Sequence, residues 1–273
     1  MSTDADPVVR ARQVSLRFGP RVLWDDLSFD LHRGEFMAVL GPNGTGKTSL
    51  VRILLGLLAP SAGTVSVTGR PPAAVRGEIG CVPQQRAFDR DAPVRGCDLV
   101  RLGLDGHRWG LGLHSRASDE RVSRALAAVG AAAYAELPVG RLSGGEQQRL
   151  RIAQALVADP ALLLADEPLL SLDLASQRTV VDLLDRRRHE AGTPVVFVTH
   201  DVNPILRVAD RVLYLAPGRW AMGTPAEVLT TETLSRLYDT PVDVLRVRDR
   251  VVVVGTPDAD GVHHHDHAPA GPG

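Results

Sequence analysis

Hydrophobic positions divide the chain into segments with the periodicities of strands and helices. Residues 14–18 alternate apolar and polar side chains, and residues 27–31 repeat the alternation, so we expect two half-buried strands. Residues 36–40 are continuously apolar and stop at Gly41, which predicts a buried strand that leads into a glycine-rich loop. Apolar residues then recur at helical spacing over 47–58. This part of the chain therefore predicts a strand–loop–helix unit that follows two strands.

The remainder of the chain alternates between predicted helices and buried strands. Between about 93 and 139 the sequence is rich in Ala, Leu and Arg, with helical spacing over 118–129, and we expect a helical insertion there. Strands that alternate with helices form parallel sheets covered on both faces. The predicted fold class is therefore α/β with a mostly parallel sheet. The segments that carry this prediction are the helices at 145–158 and 174–190 and the strands at 161–165, 194–199 and 211–216, with a strand pair at 242–254.

Composition excludes some partners. The 273 residues have a formal net charge of −1, so no overall field attracts nucleic acid or anionic lipid, and we expect no nucleic-acid partner. The longest apolar stretches are much shorter than the ~20 residues of a membrane-spanning helix. We therefore expect a cytosolic protein that depends on other chains for any work in a membrane.

A single lysine, Lys47, stands among 31 Lys and Arg residues. Lysine differs from arginine as a compact point charge on a flexible stem, which favours a specific site for this residue. It lies in a G-x-x-x-x-G-K-[ST] motif between a predicted strand and a predicted helix, formed by Gly41, Pro42, Asn43, Gly44, Thr45, Gly46, Lys47 and Thr48. The loop's backbone N–H groups and the positive end of the helix bind phosphates. We predict that Lys47 reaches the β- and γ-phosphates of ATP and that the Thr48 hydroxyl ligates Mg²⁺.

The predicted strand at 161–165 leads directly into two acids, Asp166 and Glu167. Adjacent carboxylates at the end of a buried strand are costly unless they face a cation or a reacting group. Asp166 is predicted to hold Mg²⁺. Glu167 is predicted to be the general base that polarises the attacking water.

Residues 142–149 read Leu-Ser-Gly-Gly-Glu-Gln-Gln-Arg. Ser143, Gly144 and Gly145 open a helix and offer a second helix N-terminus that can bind an anion. In this order, the three motifs resemble the nucleotide-binding subunit of an ABC transporter, over about residues 8–237. The resemblance implies the ABC ATPase fold: a P-loop NTPase-type, mostly parallel sheet with an antiparallel β subdomain and a helical insertion.

The resemblance also implies roles for single residues. Phe18 stands where the family places an aromatic residue that stacks on adenine. Gln84 resembles the glutamine that links the Mg²⁺ and water site to the membrane subunits, with the adjacent Gln85 as the alternative. His200, after the predicted strand at 194–199, resembles the switch histidine that contacts the γ-phosphate. Ser49 and Glu146 complete the expected nucleotide-binding set.

The family mechanism implies a head-to-tail homodimer. Each ATP is held between the phosphate loop of one copy and Ser143, Gly144 and Gly145 of the other, and the loop Ser171-Leu172-Asp173 communicates between the copies. Closure adds donors and excludes water around the transferring phosphoryl group. The resemblance implies that closing and opening drive integral membrane permease subunits, with an extracytoplasmic substrate-binding protein as an indirect partner. We expect the chain to lie at the cytoplasmic face of the cell membrane.

The expected domain organisation has three parts. A cassette spans 8–240, with a helical subdomain at about 93–150. A C-terminal strand extension follows at 241–255. The tail at 256–273 is rich in Gly, Pro, Asp and His and is expected to be disordered.

The transported substrate has several interpretations. Residues 200–204 and 210–215 resemble the subfamily that takes up manganese, zinc or chelated iron, which predicts an ATPase for the import of a transition-metal ion. Importers of siderophores and cobalamin share a similar region, and another solute or an exported compound also fits. A soluble ABC ATPase that acts in DNA repair, translation or cofactor assembly is a further alternative.

Two other segments have competing interpretations. The tail histidines suit a divalent transition metal, and a solvated tail or an expression remnant explains them equally well; they are His263, His264, His265 and His267. The run Arg186-Arg187-Arg188 lies on a predicted helix and is expected to form a solvated face.

Overall fold

The computed structural model describes residues 6–84, 88–105, 115–170, 172–248 and 250–255. Within these ranges the strands are β1 (Val9–Phe18), β2 (Arg21–Leu31), β3 (Phe36–Leu40), β4 (Ala62–Val67), β5 (Ile79–Val82), β6 (Leu162–Asp166), β7 (Val195–Val198), β8 (Arg211–Ala216), β9 (Arg219–Gly223), β10 (Val242–Val247) and β11 (Arg250–Gly255). The α-helices are α1 (Lys47–Leu54), α2 (Gly96–Asp105), α3 (Arg116–Ala128), α4 (Gly144–Leu156), α5 (Leu174–Ala191), α6 (Pro225–Val228) and α7 (Thr231–Tyr238).

A six-stranded sheet forms the centre of the fold, in the order β5-β6-β7-β3-β8-β9. Its first five strands are parallel, and β9 pairs with β8 in the antiparallel direction. Every residue of β3, β6 and β7 is buried, as expected for strands that are covered on both faces. Because these three strands are parallel neighbours, their carboxyl ends meet at one edge, where open α/β sheets bind ligands.

Alternate residues of β3 face two separate hydrophobic clusters. Met37 and Val39 lie in the cluster that also contains the fully buried Trp24 of β2. Phe36 points the other way and stacks on Phe197 of β7, with ring centroids 5.5 Å apart. The period of two along a strand therefore fixes the central sheet between two cores.

A three-stranded antiparallel sheet, β2-β1-β4, packs its apolar face into the same cluster as Trp24. Strand β1 is the middle strand, and its residues Val9, Val14 and Leu16 are almost completely buried. Phe18 ends this strand with its side chain about half exposed. The alternation predicted for 14–18 therefore holds for the buried Val14 and Leu16, but Ser15 between them is also buried and Phe18 is exposed.

Helices α2, α3 and α4 pack together, and all three lie between β5 and β6 in the sequence. Helix α3 begins at a capping box, in which the Ser115 hydroxyl accepts the Ser118 backbone N–H at 3.1 Å and the Ser118 hydroxyl accepts the Ser115 N–H at 3.2 Å. Among the described residues, none of the helices combines the length and the apolar character that a membrane crossing requires.

The structure confirms the predicted α/β fold, with its mostly parallel sheet and its antiparallel β subdomain, but it changes several element bounds. Helix α1 ends at Leu54 and does not continue to residue 58. Gly56 takes a left-handed backbone with φ 64°, and a Cβ there would lie 2.3 Å from the Ala73 backbone nitrogen. Helix α6 was not predicted, because its four residues are set by a capping box between Thr224 and Glu227 and not by an apolar period. Strand β9 and helix α7 were also not predicted.

Candidate nucleotide-binding site

The glycine-rich loop after β3 is packed tightly against two neighbouring strands. Gly46 precedes α1 with φ 95°, and a Cβ there would lie 2.6 Å from Trp24 Nε1 and 3.0 Å from Leu23 Cδ1. Gly41 has φ 138°, and its Cβ would lie 2.0 Å from the Leu215 carbonyl oxygen. Both the backbone conformation and the close approach therefore require glycine at these two positions.

Lys47 is folded back onto the loop that precedes it. Its Nζ donates to the carbonyl oxygens of Gly41 and Pro42 at 2.7 and 2.9 Å, and the residue is buried. Burial lowers the pKa of Lys47, and the charges of Glu167 and Asp166 oppose that change by favouring the ammonium form. A buried ammonium that is held by neutral carbonyls would gain by exchanging them for a phosphate oxygen, because hydrogen bonds between ions are stronger.

Asp166 ends β6 as a buried carboxylate. Its Oδ1 atom has no hydrogen-bond partner among the described residues. Burial raises the pKa of Asp166, and a hydrogen bond from the Thr48 hydroxyl partly offsets the rise. A buried oxygen without a partner costs about 1–3 kcal/mol. Carboxylate and hydroxyl oxygens are ligands that Mg²⁺ accepts, so this pair of residues fits a magnesium ion.

Glu167 has a strained backbone. Its φ is 50°, in the left-handed region, and its N–H donates to the Val198 carbonyl oxygen at 2.9 Å, which holds the turn against β7. His200 lies after β7, and its Nδ1 is 2.9 Å from Glu167 Oε2. An ionised carboxylate only accepts hydrogen bonds, so the tautomer that this contact selects carries its proton on Nδ1. Backbone strain that the surrounding structure maintains is typical of functional residues.

A cleft of about 250 Å³ borders the loop. Its lining unites the loop with the residues that follow β5 and β6: Leu23, Asn43, Gly44, Gly46, Lys47, Thr48, Ser49, Gln84 and Glu167. Thr45 is buried behind this lining, and its hydroxyl donates to the Pro42 carbonyl oxygen at 2.9 Å. The chain thus brings most of the predicted loop residues together with Gln84 and Glu167.

The N-terminus of α4 is not part of this lining. Ser143 and Glu146 form a capping box, in which Glu146 Oε2 accepts the Ser143 N–H at 2.8 Å and the Ser143 hydroxyl accepts the Glu146 N–H at 3.4 Å. Asp173 caps α5 by accepting the Ser176 N–H at 2.8 Å. A Cβ on Gly145 would lie 3.1 Å from the Ser176 hydroxyl, so the two helix N-termini are neighbours. Glu146 is engaged with Ser143, and its place in nucleotide binding stays a prediction.

Three residues of β2 support the loop and were missed from the sequence. Arg21 donates through Nη2 to the Gly44 carbonyl oxygen at 3.0 Å. Leu23 lines the cleft, and Trp24 is fully buried against Gly46. The apolar pattern of β2 signals that such residues are buried, but it does not reveal which loop they contact. Gln85, Ser171 and the tail histidines His263, His264, His265 and His267 lie outside the described residues.

Comparison with known proteins supports the assignment of this cleft as a nucleotide-binding site. Residues 24–170 match the family model described as ABC transporter. The chain is 32% identical to a manganese transport system ATP-binding protein of Halalkalibacterium halodurans, over 91% of this chain and 99% of that protein. It is 40% identical to a phosphonates import ATP-binding protein of Anaeromyxobacter dehalogenans over 85% of this chain, but it spans only 48% of that relative.

A solved structure leads to the same family. The chain superposes on a structure described as an inward-facing conformation of a metal-chelate type ABC transporter, with a TM-score of 0.77 and 27% identity, over 93% of this chain and 99% of that one. The match to the family model includes the glycine-rich loop and the strand that ends at Asp166. The chain therefore belongs to the ATP-binding proteins of ABC transporters, ATPases that couple ATP hydrolysis to transport and work with permease subunits.

Proposed function

We propose that this chain powers the import of a transition-metal ion, namely manganese, zinc or iron. The observation that carries the catalytic part is the cleft in which Lys47, Thr48, Gln84 and Glu167 meet beside the buried Asp166. The cargo is inferred from the manganese transport relative, which aligns over nearly its whole length, and from the metal-chelate type transporter. In this proposal the chain lies at the cytoplasmic face of the membrane, bound to permease subunits that receive substrate from an extracytoplasmic binding protein.

The loop binds the phosphates of ATP. Lys47 releases the carbonyl oxygens of Gly41 and Pro42 and donates to the β- and γ-phosphates, while loop N–H groups and the N-terminus of α1 surround the remaining oxygens. Thr48 and Asp166 would hold Mg²⁺, which would neutralise phosphate charge. The orphan Oδ1 of Asp166 supports this role, because a bound cation would satisfy it.

Glu167 orients the attacking water and accepts its proton. Lys47 and the Glu167 carboxylate both line the cleft, so the base faces the site where the γ-phosphate would be held. His200 donates from Nδ1 to the Glu167 carboxylate, which fixes the base and leaves Nε2 directed elsewhere. We propose that His200 contacts the γ-phosphate when nucleotide is bound, and that Gln84 links the site to the permease.

A second copy completes the site. Ser143, Gly144 and Gly145 form a capped helix N-terminus, but they do not line the cleft of their own chain. A head-to-tail dimer would place this N-terminus of one copy against the γ-phosphate held by the other, where its partial positive charge stabilises the anion. Phe18, exposed at the end of β1, is the candidate stacking surface for adenine.

Glu167→Gln tests the catalytic assignment. The amide keeps the shape of the side chain but cannot accept the proton, so turnover should fall by about 10²–10⁴-fold while ATP binding persists. Light scattering with ATP should then show a stable dimer. The matched control is Glu120→Gln, which changes an exposed glutamate of α3. Hydrolysis by the Glu167→Gln variant at the parent rate would show that the base is another residue.

Uptake by a deletion strain tests the cargo. Cells that lack the chain should take up less radioactive manganese, zinc or iron, and the parent gene should restore uptake while the Glu167→Gln gene should not. Phosphonate is the second candidate, favoured by the 40% identity to the phosphonates import protein. Normal metal uptake together with lost growth on a phosphonate as the phosphorus source would reject the metal proposal and support the second candidate.

A further inference from the structure

A second cleft, of about 290 Å³, lies between α3, α5 and the turn that follows α4. It shares no lining residue with the nucleotide-binding cleft. Its charged lining consists of Arg121 and Arg124 from α3, Asp159 from the turn, and Arg186, Arg187 and Glu190 from α5. Four guanidinium groups face two carboxylates, so the lining carries two excess positive charges (4 − 2).

The two carboxylates do not neutralise these arginines. Asp159 accepts from Arg187 Nη2 at 2.8 Å, and its other oxygen lies 3.7 Å from Arg121. Among the described residues, Arg124 and Arg186 take part in no ion pair. The positive charge of the cleft is therefore concentrated on one side chain of α3 and one of α5.

Arg187 has an unsatisfied donor. Its side chain is only 24% exposed, and its Nε is buried with no hydrogen-bond partner among the described residues. The neighbouring Arg188 differs, because it turns into the core, where it donates to Asp185 at 2.7 Å and pairs with Asp210. The expectation that residues 186–188 form a solvated face is therefore wrong for Arg188, and Arg186 and Arg187 face a cleft.

We propose that this cleft binds a small, free phosphate-bearing anion. Guanidinium groups bind phosphate through paired N–H donors, and here the two guanidinium groups that make no ion pair within the described part of the chain, those of Arg124 and Arg186, line the same concavity. The volume of the cleft lies just below the usual range for drug-sized ligands, which suits an anion of the size of pyrophosphate. A bound anion would tie α3 to α5 and so connect the helical part of the chain to the central sheet.

Calorimetry with inorganic pyrophosphate tests the proposal. The titration uses the Lys47→Ala chain in EDTA, so that the nucleotide-binding cleft lacks its lysine and metal. We expect a single site in this background. Arg124→Gln with Arg186→Gln should weaken binding at least about tenfold, because charged hydrogen bonds are removed from two exposed residues whose loss leaves the fold intact. Arg186→Glu alone should weaken it as well.

The control is Arg178→Gln, which removes the same charge from an exposed position of α5 outside the cleft. Equal affinity in the double variant and the Lys47→Ala parent, equal weakening by Arg178→Gln, or no binding of pyrophosphate at millimolar concentration would each overturn the proposal. Cosedimentation with phosphatidylglycerol vesicles separates a lipid source. Vesicle binding that needs Arg124 and Arg186 and that pyrophosphate does not displace would also overturn a site for a free anion.

Discussion

Gly46→Ala tests the packing of the phosphate loop against β2. The new methyl group would lie 2.6 Å from Trp24 Nε1 and 3.0 Å from Leu23 Cδ1, at a residue whose φ is 95°. Trp24 has no exposed surface, so its ring cannot move aside without shifting the core around it. The clash must therefore be relieved by the loop itself or by strain in the hydrophobic cluster.

The expected loss in the free energy of unfolding of Gly46→Ala is the sum of two separate costs. A side chain in a left-handed backbone costs about 1–2 kcal/mol. Overpacking of a filled core costs about 1–3 kcal/mol more. The free energy of unfolding should therefore fall by about 2–5 kcal/mol. Gly130→Ala is the matched control, because Gly130 has φ 65° but a Cβ there would meet no atom within 4 Å. It carries the conformational cost alone, and both variants reduce the entropy of the unfolded chain equally.

Urea unfolding followed by circular dichroism measures both variants, and ATP affinity is measured in parallel. We expect Gly46→Ala to lose at least 1 kcal/mol more than Gly130→Ala, as estimated from the overpacking cost. Its ATP affinity should also fall, because a displaced loop misplaces the N–H groups that face the phosphates. Equal loss of stability in Gly46→Ala and Gly130→Ala would refute the packing argument.

Three further substitutions test the charged residues. Asp166→Asn should raise the free energy of unfolding of the nucleotide-free chain by roughly 1 kcal/mol at pH 7 while ATPase activity falls, because it removes a carboxylate whose pKa burial raises. A raised folded-state pKa costs stability only above the unfolded-state pKa, so urea unfolding should show this gain shrinking as the pH is lowered towards about 4. Lys47→Arg should lower kcat/KM by about 10²-fold or more in a steady-state ATPase assay, since a planar guanidinium cannot occupy the buried position of Nζ, and full activity would contradict this. Arg188→Ala should lower the free energy of unfolding by about 1.5–3 kcal/mol, because it breaks the bonds to Asp210 and its neighbours, whereas the exposed Arg186→Ala should stay within about 0.5 kcal/mol; equal effects in urea unfolding would reject the buried role.

Local chemistry explains which features could be predicted from the sequence. The strand before Gly41 is apolar at every position, the strand that ends at Asp166 is apolar up to that residue, and the structure has both as central strands. The capping box that begins with Ser143 likewise involves only four consecutive residues. Such features depend on neighbours in the chain, so periodicity and motif spacing are sufficient to find them.

Contacts between distant segments could not be predicted. Arg21 holds the Gly44 carbonyl across 23 positions, and nothing in the sequence around either residue indicates the pairing. The split of 186–188 into one core arginine and two that line a cleft depends on Asp210, which lies 22 positions beyond Arg188. In the sequence the three arginines have the same charge and cannot be told apart. Only their contacts with distant residues in the folded chain distinguish them.

Three energetically costly groups lie together at the carboxyl edge of the central sheet. Asp166 carries a buried oxygen that has no partner in the described part of the chain, Glu167 has a left-handed backbone, and Lys47 is a buried cation held by neutral carbonyls. Each feature lowers the stability of the nucleotide-free chain. A bound cation would satisfy the Asp166 oxygen, and a bound phosphate would pair with the Lys47 ammonium. A fold maintains such a set of strained groups in one place when ligand binding offsets them. Saturating ATP with Mg²⁺ should therefore raise the melting temperature of the parent chain by much more than that of Asp166→Asn, which lacks the buried carboxylate that would hold the cation.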